Sequence, residues 1–444
     1  MSLDPIKIRD AIVSSLRNIG VNEWVVVVRK NKSTMVKFAN NVVTVVQSWS
    51  STQVEVYASK DRRMAHIEAF VSGENDCKVL AERIAISLAK SEPSPLYAPL
   101  PIPNGKPLEG TVDKRIVEDE GELASEAMKI VDEALRSGAE RVAGTFEYGY
   151  LERYVYTSTG FEGFQPSTYA KAYARAFKGE NSGHWAYGST FFNEKSLENV
   201  GRIAGEYASL RLPVINVEPG EYQAILSPLV VGNLVNYLAM MASAMMVVMG
   251  ASLFTKVKVG EKAFSEYLTI RDEPLNTSLP GARGFDDEGV ACTNKAIIEK
   301  GVVKTLLHNS KTAKLMNANS TGNAGLFMPT PWNIVVDAGA SDVESMIKDV
   351  RKGFLVLNNW YTRMQNWIEG QFSTVTRDAL IYIENGEFKG ITPRLRIADT
   401  FQRLFSNIQA VSKDSYDVWW WEIEVPTRAP YILVGRTLFT KPES

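Results

Sequence analysis

Residues 228–252 read PLVVGNLVNYLAMMASAMMVVMGAS, and no charged residue occurs between Glu221 and Lys256. A run of this length is long enough to cross a bilayer. Three features argue instead for a helix buried inside a large globular domain. Asn233, Asn236 and Ser243 interrupt the apolar run, and no tryptophan or basic residue anchors either end, as a spanning helix favours. Ser227 followed by Pro228 spells a helix start, a side-chain cap and then a residue with preset φ. The stretch is a core helix, and the chain is expected to make no membrane contact.

The composition outside this stretch agrees. The chain has 444 residues, 45% hydrophobic and 23% charged, with 49 Lys and Arg against 51 Asp and Glu. That is ordinary globular composition, and the net charge of -2 excludes a bulk electrostatic hold on nucleic acid. The start of the sequence carries no basic stretch followed by an apolar core, so a cytoplasmic location is expected.

Apolar spacing predicts a helix over residues 5–19, ending at Gly20. The segments WVVVVRK, NVVTVVQSW, TQVEVYAS and RMAHIEAFV then read as short antiparallel strands, followed by a helix over 74–91. The proline-dense EPSPLYAPLPIPNGKP forbids regular structure and reads as a long crossing loop. A further helix is expected over 118–137, strands over 141–151, 153–158, 168–178 and 184–192, and a helix over 194–210. Beyond a boundary near residue 215, strands dominate, with helices expected at 341–350 and 396–412 and an Asn385-Gly386 hairpin turn. No regular strand–helix alternation appears, so the class is α+β. Two domains are expected, an N-terminal α+β unit over 1–215 and a β-rich unit over 216–444.

Chemistry-bearing residues are sparse. His66, His184 and His308 are scattered singly, so no local pair of imidazoles can start a zinc site. The two cysteines, Cys77 and Cys292, build neither a disulfide framework nor a metal cluster. No phosphate-binding glycine loop and no nucleophile elbow occurs. Cys292 follows an acidic run, which should raise its thiol pKa and blunt its reactivity. That run, Asp286-Asp287-Glu288-Gly289, is the densest charge of the second half. It reads as a turn whose acids cap backbone amides, or alternatively as a ligand site. Ser320-Thr321-Gly322-Asn323 is a similar case, a polar loop able to present backbone hydrogen bonds. Trp419, Trp420 and Trp421 are consecutive, and alternation in a strand would turn at least one outward.

Taken together, LSPLVVGNLVNYL, GASLFTKVKVGEKAFSEYLTIRDEP, GFDDEGVACTNKAIIEKGVVKTLLHNSKTAKLMNANSTGNAG and FSTVTRDALIYIENGEFKGITPRLRI resemble the TldD/PmbA family, also called modulator of DNA gyrase, in order and spacing. The resemblance covers most of the chain and is most specific over 222–390. It implies helices packed on antiparallel strands, followed by a largely β, barrel-like domain that holds the apolar helix. In the TldD branch that helix carries HExxxH and a cysteine follows toward the C-terminus. Here the corresponding positions, Val235 to Met240, read Val-Asn-Tyr-Leu-Ala-Met, and Lys413 to Trp420 contains no cysteine. The chain is therefore similar to the PmbA/TldE branch. That branch implies a subunit with no metal, no cofactor and no catalytic residue of its own, paired with a TldD-like zinc peptidase and helping to enclose unfolded peptide. On this reading Asp286, Asp287, Glu288, Gly289, Ser320, Thr321, Gly322 and Asn323 are expected at the peptide-binding or subunit surface. Two alternatives stand beside it: a self-sufficient hydrolase drawing on Asp272, Asp286, Asp287 and Glu288, and a non-catalytic homodimer.

Overall fold

The computed structural model describes residues 3–441. The N-terminal half is built on one six-stranded antiparallel sheet. Its strands are β1 (Glu23–Ala39), β2 (Val42–Lys60), β3 (Arg63–Phe70), β4 (Arg141–Thr157), β5 (Glu162–Lys178) and β6 (Asn181–Ser189), in the spatial order β3-β2-β1-β4-β5-β6. Helix α1 (Pro5–Asn18) is capped by Asp4, whose side chain accepts the Ile6 N–H, and it packs with α2 (Glu74–Lys90) on the β1–β3 end. After the four-residue α3 (Lys114–Val117), α4 (Ala127–Arg136) pairs with α5 (Glu194–Ala208) over β4–β6.

The C-terminal half forms an eleven-stranded sheet. Its elements in chain order are β7 (Gly220–Leu226), α6 (Pro228–Met241), α7 (Ala244–Val248), β8 (Ile270–Asp272), β9 (Lys295–Glu299), β10 (Val302–Val303), α8 (Ser310–Met316), β11 (Ile334–Val336) and α9 (Val343–Asp349). They continue with β12 (Lys352–Asn366), β13 (Gln371–Glu384), β14 (Glu387–Ile391), β15 (Arg396–Thr400), α10 (Phe401–Ser406), β16 (Ile408–Trp420) and β17 (Ile423–Thr440). Strand β7 pairs in parallel with β12 and antiparallel with β17, so β17-β15-β13-β12-β7 closes on itself into a ring. Helix α6 packs against this ring, sharing one apolar core with Phe354, Phe372, Ile397 and Ile432. Every α6 residue is buried except Tyr237 and Met240. Ser227 caps the helix by accepting the Leu229 N–H, ahead of Pro228 at the first turn, as the sequence predicts. Among the described residues no helix is long and apolar enough to cross a membrane.

Three local expectations are corrected. The helix expected over 118–137 is confined to Ala127–Arg136, because Gly121 sits at φ 114° and Asp119 accepts the Leu123 N–H, which together end the chain's approach in a tight turn. The segments 141–151 and 153–158 form one continuous strand, since both neighbours pair along its length. The helix expected over 396–412 is a strand, one short helix and a second strand. Ile397 pairs with Thr374 of β13 and Phe439 of β17, and that two-sided pairing overrides helical spacing.

Candidate functional site

The eight loop residues singled out in the sequence lie together, at the joint between the two halves. Asp286 closes its own turn, with Oδ1 accepting the N–H groups of Glu288 (3.0 Å) and Val290 (2.9 Å), and Gly289 supplies the φ of 79° that the bend requires. Its Oδ2 accepts the Ala324 N–H at 3.0 Å, tying the turn to the second loop. Asp287 is gripped by two arginines of the N-terminal sheet, Arg153 on β4 and Arg29 on β1 (3.2 Å). Glu288 accepts from the backbone and hydroxyl of Ser310 (2.9 and 2.6 Å) and pairs with Lys311 at 3.3 Å. All three carboxylates are buried, at 0%, 2% and 0% exposure.

The second loop is equally committed. Asn323 donates to Asp272 (2.6 Å) and to the Thr330 carbonyl, and accepts from Thr321 Oγ1 at 2.8 Å. The Ser320 hydroxyl donates to the His308 carbonyl. Gly322 lies so close to Ala291 that an added Cβ would stand 2.4 Å from its carbonyl oxygen. The proline-rich connector joins in, with Asn104 and Gly105 donating to the Gly289 carbonyl. Asp272 is fully buried between Lys295 (3.1 Å) and the Trp332 N–H (2.7 Å). None of the four acids considered for a self-contained hydrolase therefore faces an open cavity.

The electrostatics follow the partners. Burial would raise the Asp287 pKa, but Arg153, Arg29 and Arg283 outweigh it and hold the carboxyl below its ordinary range. Asp286 has no ion pair among the described residues, so burial and the Glu288 charge push it up to about 7, against the pull of its backbone donors. The Cys292 thiol is pushed up to about 12, first by burial and then by Asp286, in line with the blunted reactivity expected from the sequence. His66 pairs with Glu55 at 2.7 Å on the sheet, whereas His184 and His308 are buried apart from it.

A second region lies where α6 presents Tyr237 and Met240, its two half-buried residues. There a cavity of about 290 Å³ is lined by Asn236, Tyr237 and Met240 from α6, by Trp360–Arg363 from β12, and by Trp421, Glu422 and Glu424 around the β16–β17 turn. The two asparagines of α6 assemble it. Asn233 donates to the Glu422 carbonyl (2.7 Å) and accepts from Asn359 (2.8 Å) and Thr362 (2.7 Å), clamping the turn and the β12 irregularity to the helix. Asn236 donates to Thr427 Oγ1 (2.8 Å) and the Gly232 carbonyl (2.9 Å) and accepts the Val425 N–H (2.8 Å). The ladder between β12 and β13 slips between Trp360 and Arg363, and Tyr361 stands at φ 60°, a costly conformation for a bulky side chain. Of the three consecutive tryptophans, Trp420 is buried and Trp421 is 56% exposed. Burial raises the Glu422 pKa, opposed by the Tyr361 N–H and by Arg363 and Arg377.

This convergence escapes a sequence reading because Trp360 and Trp421 come from distant strands. The legible signal was the Asn233/Asn236 pair, three apart in an apolar helix, since buried amides must find partners.

Comparison with known proteins adds the family. The chain matches models of the PmbA/TldA metallopeptidase C-terminal domain over 219–441, the central domain over 113–212 and domain 1 over 24–89. The chain belongs to the PmbA/TldD family. A metalloprotease of Methanocaldococcus jannaschii is 29% identical over 248 residues, 53% of this chain and 54% of that one. A metalloprotease TldD homolog of Buchnera aphidicola is 31% identical over 150 residues, 32% of this chain and 30% of that one. The matches thus span about half or less of these curated relatives. The crystal structure of TldE from Thermococcus kodakarensis superposes with a TM-score of 0.85 at 20% identity, covering 98% of this chain and all of that one, which establishes the shared fold.

Zinc is the metal that the PmbA/TldD resemblance implies, and the α6 cavity is where the motif positions fall. Val235 lies in the apolar core, the Asn236 amide is spent on three internal bonds, and Met240 offers a thioether. Glu422 and Glu424 are the cavity's carboxylates. Zinc sites in proteins draw on imidazole, thiolate and carboxylate in sets of three or four. Among the described residues no three His, Cys, Asp or Glu side chains converge for a metal ion. The donor set here does not fit zinc.

Proposed function

We propose that this chain is the metal-free, TldE-like subunit of a cytoplasmic peptidase pair. Its TldD-like partner supplies the zinc chemistry, and this chain binds unfolded peptide and helps to close the space in which it is cut. The observation that carries the reading is the use to which the motif segment is put. At Val235, Asn236 and Met240, where the catalytic branch needs two imidazoles and a carboxylate, the side chains fill a core, brace Val425 and Thr427, and floor an aromatic cavity. The polar loops at Asp286–Gly289 and Ser320–Asn323 serve this role by fixing the two halves of the chain in one relation. Extended peptide would pair with a strand edge, as β-augmentation allows.

The test uses three samples: this chain, the HExxxH-bearing paralogue from the same source, and an equimolar mixture. Hydrolysis of an unfolded peptide is followed in each. The expected result is no cleavage by this chain alone, and cleavage by the mixture that exceeds the paralogue by itself. Cleavage by this chain alone that survives chelation would overturn the reading.

A further inference from the structure

On the far side of Trp360 from the α6 cavity lies a second one, of about 460 Å³, between β5–β6 of the first sheet and β13 of the second. Its walls carry Arg175, Arg377 and Arg394. Only one of the three is neutralised. Arg175 donates through Nε and one Nη to Asp378 Oδ1 at 2.8 and 2.7 Å, and Asn358 donates to the other oxygen, so the buried Asp378 carboxylate is fully used. The Arg377 guanidinium carbon lies 4.3 Å from the Trp360 ring centroid, and among the described residues its N–H groups have no hydrogen-bond acceptor. Neither Arg377 nor Arg394 has an ion pair among the described residues, and Glu180 is the one other carboxylate on the wall.

The backbone holds this arrangement at a cost. The β12–β13 ladder slips so that Val356 pairs with Leu380 and Asn358 with Arg377, and Asp378 stands at φ 61°. Strain of this kind persists where surrounding structure enforces it and gathers at binding and catalytic sites. Burial and the neighbouring Arg175 and Arg394 charges lower the Arg377 pKa against the opposing pull of Asp378 and Glu422, and the net penalty that remains is one a bound anion would relieve.

We infer that this cavity is a binding site for an oxyanion group, a carboxylate or a phosphate, held by the free guanidinium edges of Arg377 and Arg394. Planar, five-donor guanidinium suits both acceptors, and paired N–H contacts give orientation as well as affinity. A carboxylate would come from the C-terminus of a peptide, and the cavity has room for its last residue. The site belongs to this chain alone and does not depend on a catalytic partner, so its test is independent of the subunit reading.

The experiment is calorimetric titration of the full chain at low salt with three probes: an N-acetylated tripeptide with a free C-terminus, the same peptide amidated, and inorganic phosphate. The free acid or phosphate should bind, and the amide should bind at least about tenfold more weakly than the acid if the carboxylate is the recognised group. Arg377→Gln and Arg394→Gln should each weaken the binding anion about tenfold, and Arg377→Lys should retain part of the affinity. Among the described residues neither side chain makes a hydrogen bond, and Arg377 loses only its stack on Trp360, so a thermal midpoint close to the native one is expected in the variants and checks the fold. Preference for phosphate over the free acid would assign the site to a phosphate-bearing ligand. Failure of both anions to bind, or binding unaltered in both glutamine variants, would overturn the inference.

Discussion

The acidic joint and the α6 cavity are both rich in polar groups, and they treat them in opposite ways. At the joint every carboxylate has a guanidinium, an ammonium or several backbone N–H groups, and none reaches solvent. Around the cavity the two α6 amides are bonded to β12 and to the β16–β17 region, while Glu422, Glu424 and the Trp421 ring line open space. A dense charged motif thus marks a fastening between sheets, and the place able to accept a ligand is the one where partners run out. Buried ion pairs of the first kind gain little over apolar packing, but removing one member leaves the other charge stranded.

The largest effect should follow from breaking the joint. Asp287→Ala strands Arg153, whose side chain is 9% exposed, beside Arg29, and should cost about 3–5 kcal/mol in denaturant unfolding. A loss below about 1 kcal/mol would mean that water or rearrangement replaces the pair and that the joint is no fastening. Next comes Asn236→Ala, which leaves the Val425 N–H without its acceptor and removes the donor to Thr427 Oγ1, whose own O–H keeps the Val425 carbonyl. About 2–3 kcal/mol should be lost by the same measurement, with the far-ultraviolet spectrum retained.

A pH titration of stability separates neighbouring acids of the joint. Asp286 has its folded pKa raised to about 7, so its contribution is fully present below the unfolded value of 3.8 and is lost as pH rises toward 7. Asp287 is shifted the other way and loses its contribution as pH falls below the ordinary carboxylate range. From pH 4 to 8 Asp286 should therefore pull the unfolding free energy down by less than about 1.4 kcal/mol per pH unit, the limit for one proton, while the buried His184 and His308, whose pKa values burial lowers, pull it up over the acid side of that window. Asp286→Asn should remove the downward pull, so that the stability of the variant relative to the native chain rises from pH 4 to 8, and a pH-independent difference would remove Asp286 as its source. The smallest effect belongs to the cavity rim. Tyr361→Gly removes a half-exposed ring and relieves its φ of 60°, so stability should change by no more than about 1 kcal/mol, toward gain. A larger loss would show that the ring supports the core and that the rim resembles the joint.

How much of this was legible depends on the range of the interactions. The buried helix at 228–241, its Ser227-Pro228 start and the strand-rich N-terminal half follow from local patterning, and the structure has all three. Its end at Ala242 and the separate α7 were not legible, because the break is made by the Ala244 N–H donating to Leu307, far along the chain. The helix wrongly expected over 396–412 failed for a similar reason, since its strand state is imposed by β13 and β17. The resemblance put the two polar loops at a peptide-binding or subunit surface and gave no sign that they bond to each other or of the depth of their burial in this chain. That depth depends on Arg29 and Arg153, which lie more than 130 residues from Asp287 and give no local sign. The aromatic cavity needed Trp360 and Trp421 to meet, which only ring closure accomplishes.

The proposed subunit role rests on α6 packing at the positions where the catalytic branch binds zinc. The direct measurement is the metal content of the purified full chain after equilibration with excess zinc and removal of free ion. Zinc well below one equivalent, unchanged by Glu422→Gln, is the expected result. One tightly held equivalent, released by chelator and lost in Glu422→Gln, would contradict it.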